Sequence, residues 1–340
     1  MPGAAIFGCL GHRLSAAERA FFRDADPFGF ILFARNLDHP AQISALTAEL
    51  RDAVGRQAPI LIDQEGGRVA RLRPPIWRDW LTPMDQVASS QPGWAARGMY
   101  LRYRLIADEL LHLGIDTNCA PMVDVPGKGV HDIILSRCYG REPAKIAVVG
   151  RAVAEGLLAG GVLPVLKHIP GHGRPNADSH VELPRTDAPR PDLEAVDFLP
   201  FRALADLPMA MTAHVVYGAI DPERCATQSP DVIGVIRRDI GFDGLLMSDD
   251  ISMHALSGNF RDRSRSALDA GCDVILSCNG VMTEMREIAA EAGRLDGPSL
   301  RRADRVLAAR RKPDEIEPSA LLAELAGLFK VGRDDPESAT

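Results

Sequence analysis

The chain alternates short, continuously apolar runs with amphipathic helical patterns along most of its 340 residues. Uninterrupted apolar runs are typical of parallel strands buried on both faces, whereas strands with one solvated face alternate apolar and polar residues. Eight candidate strands lie at residues 4–9, 29–34, 59–63, 118–123, 163–167, 209–213, 244–248 and 273–277. Eight strands, each followed by a segment able to form a helix, predict an α/β fold with a single TIM (β/α)8 barrel.

Helix signals occupy the segments between these strands. Apolar residues at helical spacing over 43–54 follow Pro40, a residue that suits the first turn of a helix. A second stripe covers 101–113 and is followed by Gly114, which favours a helix end, and a third covers 146–157. We therefore expect helices at these three places.

A doubly wound open sheet shows the same alternation and is the alternative architecture. The first strand lacks a following Gly-rich phosphate loop, which argues against a dinucleotide-binding fold. We see no linker, and expect one barrel domain over residues 1–312 with a C-terminal helix and polar tail over 313–340. Segments 71–92 and 123–143 are rich in Pro, Gly and polar residues, and we expect them to be loops at the catalytic face.

Composition narrows the classes of partner and location. The net charge of -7 argues against a nucleic-acid or anionic-membrane partner. Six scattered cysteines, with no Cys-x-x-Cys pair, are typical of reduced thiols in a cytosolic protein. The first residues show no basic region before an apolar core, and no run approaches the length of a membrane span. We expect a cytoplasmic protein, and the sequence leaves its oligomeric state open.

The candidate strand at 244–248 is followed by two aspartates, Asp249 and Asp250. A carboxylate just past a parallel strand would lie at the mouth of a barrel, where such enzymes keep their active sites. Asp at this point also commonly caps the next helix. Two adjacent aspartates allow both roles, with Asp249 catalytic and Asp250 structural.

The strand at 163–167 runs into an irregular stretch that contains three histidines, His168, His172 and His180. Lys167 at the strand end is costly to bury unless it binds something, and pairing with a neighbouring carboxylate is the simplest explanation. Asp178 and His180 are two residues apart, so the carboxylate could orient the ring and raise its basicity. A metal site is a minority interpretation, because the spacing lacks the helical geometry of His-Glu-x-x-His.

Charged residues also follow the third and fourth candidate strands. Asp63 and Glu65 stand close to Arg68 and Arg71, and the simplest interpretation is a salt-bridged loop in which the carboxylates satisfy the two arginines. The paired glycines after Glu65 instead suggest a backbone turn at a binding surface. Arg137 follows the fourth strand and carries no signal by itself.

Five segments of the chain occur in the order found in a known family. They are Asp-Gln-Glu-Gly-Gly-Arg-Val at 63–69, Ala-Pro-Met-Val-Asp-Val at 120–125, Ser-Arg-Cys-Tyr-Gly at 136–140, the stretch 167–180, and Ser-Asp-Asp-Ile-Ser-Met at 248–253. In this combination the chain resembles the bacterial β-N-acetylhexosaminidases of glycoside hydrolase family 3, the NagZ type, over about residues 28–278. Ile169 and Cys138-Tyr139 depart from the usual Phe and Ser-Phe, and neither change removes a catalytic group.

The resemblance implies a TIM barrel that removes terminal β-linked N-acetylglucosamine. It implies that Asp249 is the nucleophile, that His180 is the general acid/base and that Asp178 is the partner of His180. The sugar-binding positions that it implies are Asp63, Arg71, Arg137, Lys167 and His168. The implied substrate is a peptidoglycan fragment, N-acetylglucosaminyl-1,6-anhydro-N-acetylmuramic acid with or without its peptide, in cytoplasmic cell-wall recycling. We expect no metal or other cofactor, and no nucleic-acid or membrane partner.

Other activities stay open at this stage. A β-glucosidase or β-xylosidase of the same family would share Asp249 but should lack the loop at 167–180. A glycoside phosphorylase would use the same loop with phosphate in place of water. A non-catalytic sugar-binding barrel would not need both Asp249 and His180, and a metal hydrolase that used the histidines would lose activity in chelator.

Overall fold

A computed structural model describes residues 1–175 and 183–330 of the chain. Its centre is a closed barrel of eight parallel strands, which pair in chain order until the last closes on the first. The strands are Gly3–Phe7 (β1), Pro27–Leu32 (β2), Ile60–Ile62 (β3), Thr117–Asn118 (β4), Leu163–Ile169 (β5), Met209–Thr212 (β6), Leu245–Asp250 (β7) and Val274–Ser277 (β8). The (β/α)8 barrel expected from the sequence is confirmed.

The fourth strand departs most from its expected range of 118–123, because regular pairing ends at Asn118. Pro121 has no N–H and cannot donate to a ladder of strand hydrogen bonds. The chain nevertheless stays beside β5, since the Pro121 carbonyl accepts from the Lys167 N–H and the Lys167 carbonyl accepts from Val123. The sequence pattern marked the buried run correctly, but not the point at which its pairing becomes irregular.

Helices surround the barrel, and the three expected ones are present as Pro40–Val54, Ala95–His112 and Pro143–Ala159. Gly55 and Gly114 follow the first two with positive φ of 65° and 77°, a conformation that favours glycine. The other α-helices are Ala16–Ala25, Pro83–Ser89, Asp132–Leu135, Arg190–Asp192, Phe198–Ala203, Pro230–Val235, Phe260–Ala270, Met282–Ala292, Gly297–Ala308 and Pro318–Gly327. Short 3-10 turns cover Ala34–Asn36 and Ala226–Gln228, and π-helical turns cover Leu193–Asp197 and Ile236–Ile240.

The barrel strands are apolar on both faces for a structural reason. Alternate side chains such as Ile6 and Met247 point into the barrel, where they pack in one cluster. Their neighbours, such as Phe7 and Leu246, point outward and pack against the helices in a second cluster. Burying each such side chain stabilises the fold by roughly 1.5–3 kcal/mol. The continuous apolar runs of the sequence therefore reflect two buried faces.

The C-terminal helix expected within 313–340 forms as Pro318–Gly327, and residues 331–340 lie outside the described residues. This helix packs against Ala95–His112, and its Glu324 carboxylate pairs with the Arg97 guanidinium at 2.7 Å. Within residues 1–175 and 183–330, no helix combines the length and hydropathy that crossing a bilayer requires.

Two small ribbons lie outside the barrel. In the first, directly after β3, Gln64–Gly66 pairs antiparallel with Val69–Ala70. In the second, Arg185–Thr186, which follows β5, pairs in parallel with Val216–Tyr217, which follows β6. Of the loops expected at the catalytic face, 71–92 includes the helix Pro83–Ser89 and 123–143 includes the short helix Asp132–Leu135.

Candidate active site

A cavity of about 230 Å³ opens at the carboxyl ends of the barrel strands. Parallel strands of a barrel bring their last residues together at this end, which is why residues distant in sequence meet here. The polar lining includes Asp63, Arg71, Arg137, Lys167, His168, His172 and Asp249, and the apolar lining includes Ile31, Val69, Met211 and Met253. Every sequence-predicted site residue that lies within the described ranges therefore lines one cavity.

A larger cavity of about 880 Å³ lies at the opposite end of the barrel. Its arginines are largely engaged with carboxylates, as in the pair of Arg151 with Asp206 and the contacts of Arg302 and Arg305 with Asp243. Because its charges satisfy one another and it faces the amino ends of the strands, we place the chemistry in the smaller cavity.

Lys167 is the centre of a buried charge network at the mouth of the barrel. Its Nζ lies 3.0 Å from Asp63 Oδ1 and 2.7 Å from Glu65 Oε1. Asp63 also accepts from Arg71 at 2.8 Å, and Glu65 accepts two hydrogen bonds from Arg137 at 2.8 and 2.9 Å. Three cations and two carboxylates alternate, so each buried charge has an opposite neighbour.

The network shifts the pKa of Asp63, Glu65 and Lys167. Burial alone would raise the pKa of Asp63 and Glu65, but the neighbouring cations outweigh burial in both. Arg137 and Lys167 hold the pKa of Glu65 at about 2, and Lys167 and Arg71 hold that of Asp63 well below its usual range. Burial would lower the pKa of Lys167, but the two carboxylates raise it instead. Asp63, Glu65 and Lys167 are therefore charged at neutral pH.

This arrangement corrects the simplest interpretation of the Asp63–Arg71 segment. Asp63 does pair with Arg71, but Glu65 pairs with Arg137 and Lys167 rather than with Arg68. Sequence spacing favoured the nearby arginine, whereas the barrel brings Arg137 from the loop after β4 and Lys167 from β5. The expected pairing of Lys167 with a carboxylate is confirmed, and it has two partners.

His168 and His172 share a fully buried carboxylate, Asp124. Its Oδ2 lies 2.7 Å from Nδ1 of His168, and its Oδ1 accepts from the backbone N–H of His172 at 2.6 Å. Burial would raise the pKa of Asp124, but His168 lowers it below its usual value. The carboxylate thus orients the His168 ring, with Nδ1 toward Asp124 and Nε2 on the side away from Asp124. Carboxylates commonly orient catalytic or metal-ligating histidines in this way.

His172 meets the ring of His168 edge-on, with 5.6 Å between the ring centroids. Burial, reinforced by His168, lowers the pKa of His172 to about 4, so this ring is neutral at pH 7. In residues 1–175 and 183–330, no group of three or more His, Cys, Asp or Glu side chains is arranged to hold a metal ion.

Asp249 is the penultimate residue of β7, not a residue just past it as expected from the sequence. Its Oδ1 accepts from the N–H of Asp250 at 2.8 Å, and its own N–H donates to Thr212 Oγ1 at 3.3 Å. Burial would raise the pKa of Asp249, but its polar surroundings, which include the hydrogen bond from the Asp250 N–H, lower it overall. An ionised carboxylate therefore lines the cavity beside the Lys167 network.

Asp250 is structural, as expected, but the alternative that one of the two aspartates caps the next helix is wrong. That helix begins at Phe260 with Asn259 as its cap. The Asp250 carboxylate instead accepts from the backbone of Ser252 at 3.1 Å and from that of Cys278 at 3.2 Å. It ties the turn after β7 to the end of β8.

Asp178 and His180 fall in residues 176–182, outside the described residues, and their roles stay predictions. Sequence reasoning gave Glu65 only a salt bridge with a nearby arginine, gave His172 only a place in the alternative metal site, and gave Asp124 no role. The structure places all three in or directly behind the cavity wall. Asp124 carried a usable signal, because a carboxylate within the apolar run 119–125 must find a partner when buried.

We predict that Glu65→Gln destabilises the protein in a pH-dependent way. Removing the carboxylate leaves Arg137 and Lys167 short of a buried partner, which we expect to lower the free energy of unfolding by about 3 kcal/mol near neutrality. The folded pKa of Glu65, about 2, is below its ordinary 4.5. Its stabilisation is thus present above pH 4.5 and lost as the pH falls toward 2.

The measurement is the melting temperature of wild type and Glu65→Gln between pH 7 and pH 2.5. We expect the difference in melting temperature between wild type and Glu65→Gln to narrow below pH 4.5. Glu324→Gln, which removes a half-exposed pair with Arg97, is the matched control and should change the melting temperature much less. A gap that is constant with pH would contradict the prediction.

Comparison with known proteins places this geometry in a family. A model of the glycosyl hydrolase family 3 N-terminal domain matches residues 8–308. A β-hexosaminidase of Alkalilimnicola ehrlichii is 40% identical over 288 residues, which cover 82% of this chain and 81% of that protein. A β-hexosaminidase of Methylococcus capsulatus is 35% identical over 332 residues, with 94% of each chain covered.

Solved structures agree with the sequence comparisons. Native NagZ from Neisseria gonorrhoeae superposes with a TM-score of 0.85 at 30% identity and covers 97% of this chain and 98% of its own. The same enzyme in complex with N-trifluoroacetyl-D-glucosamine gives a TM-score of 0.84 at 30% identity, with 96% and 98% covered. The chain with the Lys167 network and Asp249 at the mouth of its barrel therefore belongs to glycoside hydrolase family 3.

Proposed function

We propose that the protein is a retaining exo-β-N-acetylglucosaminidase. The observation that carries the proposal is the Asp249 carboxylate at the end of β7, in the same cavity as Asp63, Lys167 and His168. Membership of family 3, relatives named β-hexosaminidase and a neighbour solved with a glucosamine derivative support this class of substrate. Asp249 acts as nucleophile, His180 as general acid/base, and Asp178 as the partner of His180.

The charge network suits recognition of a single sugar residue. Asp63 presents acceptors to hydroxyl groups, whereas Arg71, Arg137 and Lys167 present donors from the same wall of the cavity. Because these groups already hold one another in place, little side-chain freedom is lost when the sugar binds. His168, oriented by Asp124, contributes one further ring nitrogen.

The reaction proceeds in two displacements. In the first, a carboxylate oxygen of Asp249 attacks the anomeric carbon, the glycosidic bond breaks, and protonated His180 gives its proton to the departing oxygen. In the second, neutral His180 takes a proton from water, which attacks the anomeric carbon and releases Asp249. Two inversions give net retention. A histidine titrates nearer neutrality than a carboxylate, which suits a group that gives and then takes a proton.

The physiological substrate that we propose is N-acetylglucosaminyl-1,6-anhydro-N-acetylmuramic acid, with or without its peptide, in cell-wall recycling. Its support is the resemblance of the five segments and the similarity to NagZ over nearly the whole chain. We propose a cytoplasmic location, which is supported by six free, buried cysteines.

The proposed activity is tested by the sugar preference of the enzyme. We expect hydrolysis of an aryl β-N-acetylglucosaminide at least about 100-fold faster, in kcat/KM, than that of the matching β-glucoside, a difference of about 2.7 kcal/mol in transition-state binding. Addition of phosphate should produce no sugar 1-phosphate, and chelator should leave the rate unchanged. Preference for the glucoside, formation of a sugar phosphate, or loss of activity in chelator would each identify another enzyme.

Asp249→Asn should abolish turnover, because an amide cannot form the glycosyl-enzyme. We expect kcat to fall by at least about 1,000-fold with the melting temperature little changed. Asp243→Asn is the matched control. Asp243 lies on the surface just before β7 begins, at the end of the barrel opposite the site, so this variant should leave activity unchanged. Labelling by a 2-fluoro sugar followed by peptide mapping should place the covalent sugar on Asp249.

A competing mechanism uses the acetamide of the substrate as nucleophile. In that case each fluorine added to the acetyl group would depress kcat/KM steeply. With Asp249 as nucleophile the acetamide only aids recognition, and the dependence on fluorine should be shallow. A steep dependence, or near-normal turnover by Asp249→Asn, would contradict the prediction.

His180→Ala should slow substrates with poor leaving groups far more than activated aryl glycosides in the first step. An activated aryl oxygen departs without protonation, so the missing acid matters less there. Asp178→Ala should show a milder form of the same pattern, because it acts through His180. The measurement is the pre-steady-state rate of glycosyl-enzyme formation across aryl leaving groups. Equal slowing of all substrates would exclude the acid role.

A further inference from the structure

The backbone of Asp249 lies where β7 leaves regular pairing. Pairing of β7 with β6 is regular up to Met247 opposite Met211, and the register with β8 shifts between Met247 and Asp250. Such an irregularity bends a strand and re-aims its side chains, but it also removes ladder partners from buried backbone groups. The N–H of Asp249 must therefore find another partner. The carbonyl of Asp250 accepts from the N–H of Met253 at 3.1 Å and has a second lone pair to satisfy.

Three buried side chains fill this role and join into one chain of hydrogen bonds. Asp249 N–H donates to Thr212 Oγ1 at 3.3 Å, and Thr212 Oγ1 lies 2.8 Å from Thr227 Oγ1. Thr227 Oγ1 lies 2.7 Å from Nδ1 of His214, whose Nε2 is 3.0 Å from the carbonyl oxygen of Asp250. This series of hydrogen bonds begins and ends on the Asp249–Asp250 backbone, and the three side chains that form it are fully buried.

The direction of each hydrogen bond follows from the carbonyl. A carbonyl oxygen only accepts, so Nε2 of His214 carries a hydrogen. Burial lowers the pKa of His214, so the neutral ring presents Nδ1 as an acceptor for the hydroxyl of Thr227. The Thr227 hydroxyl has one proton, and it donates this proton to His214 Nδ1 at 2.7 Å rather than to the Ala213 carbonyl at 3.3 Å. Its oxygen then accepts a hydrogen bond from the Thr212 hydroxyl.

We infer that His214, Thr227 and Thr212 are positioning residues for Asp249. They fix the backbone on both sides of the carboxylate and so set its direction into the cavity. None of the three lines that cavity, where β7 contributes Asp249 and β6 contributes Met211. They therefore act through Asp249 and not on the sugar. The inference rests on the proposed role of Asp249 as nucleophile.

The expected signature is a loss of rate without a loss of sugar binding. Displacement of a nucleophile by about 1 Å can lower a rate by about 100-fold. The groups proposed to hold the sugar include Asp63, in the loop after β3, and Lys167, on β5. Their own charge network, rather than this series of hydrogen bonds, holds them in place. A merely structural role would lower stability, or would weaken binding and rate together.

The test compares Thr227→Val, which removes the hydroxyl at nearly constant shape, with Thr227→Ser, which keeps it. We expect Thr227→Val to form the glycosyl-enzyme about 10- to 100-fold more slowly, with the inhibition constant of free N-acetylglucosamine within about twofold of wild type. Thr227→Ser should recover most of the rate. Thr47→Val is the matched control, because its buried hydroxyl bonds the Leu113 carbonyl away from the site, and its rate should equal wild type.

Thr212→Val and Thr212→Ser repeat the comparison from β6 if Thr227→Val does not fold. Any of three results would overturn the inference. They are a wild-type rate in the valine variants, an equal loss of rate in the valine and serine variants, and a weakening of inhibitor binding as large as the loss of rate. Asp249→Asn separates the two claims. If it loses turnover while the valine variants do not, only the positioning role fails, whereas turnover by Asp249→Asn would overturn the proposed function and this inference with it.

Discussion

The site is organised around one buried ammonium group. Lys167 lies near the end of β5 with its side chain 2% exposed, and a charge in that position is strongly unfavourable without partners. Its two carboxylates come from the segment after β3, and those carboxylates in turn hold Arg71 and Arg137. Removing Glu65 would leave Arg137 without its carboxylate, and removing Asp63 would do the same to Arg71. The loops that follow β3 and β4 are thus fixed to β5 by electrostatics as well as by packing.

Rigidity of this kind has a functional consequence. The groups proposed to bind sugar are held before any ligand arrives, through Lys167 on one side and Asp124 on the other. Preorganised donors and acceptors need not reorganise as charge develops during reaction. Burial also strengthens their interactions, since the surroundings screen charges less than water does. The same pairs that stabilise the mouth of the barrel preorganise the groups proposed to bind the sugar.

The sequence predicted the fold well because burial leaves a direct trace in it. Eight apolar runs and three helical stripes correspond to elements of the structure, since hydrophobic spacing follows from the geometry of strands and helices. The fourth strand was placed less well, because a missing N–H at Pro121 changes pairing without changing hydropathy. Resemblance to a family supplied the residues of the cavity, which spacing alone would not have selected.

Partnerships across the barrel were not predictable in the same way. Glu65 was assigned to an arginine three residues away, yet it pairs with Arg137 and Lys167, 72 and 102 positions further along the chain. His214 and Thr227 gave no signal, because a buried histidine and a buried threonine are ordinary in any core. Their significance depends on which backbone groups the irregular end of β7 leaves without ladder partners. That is a property of strand register, and only the assembled barrel determines it.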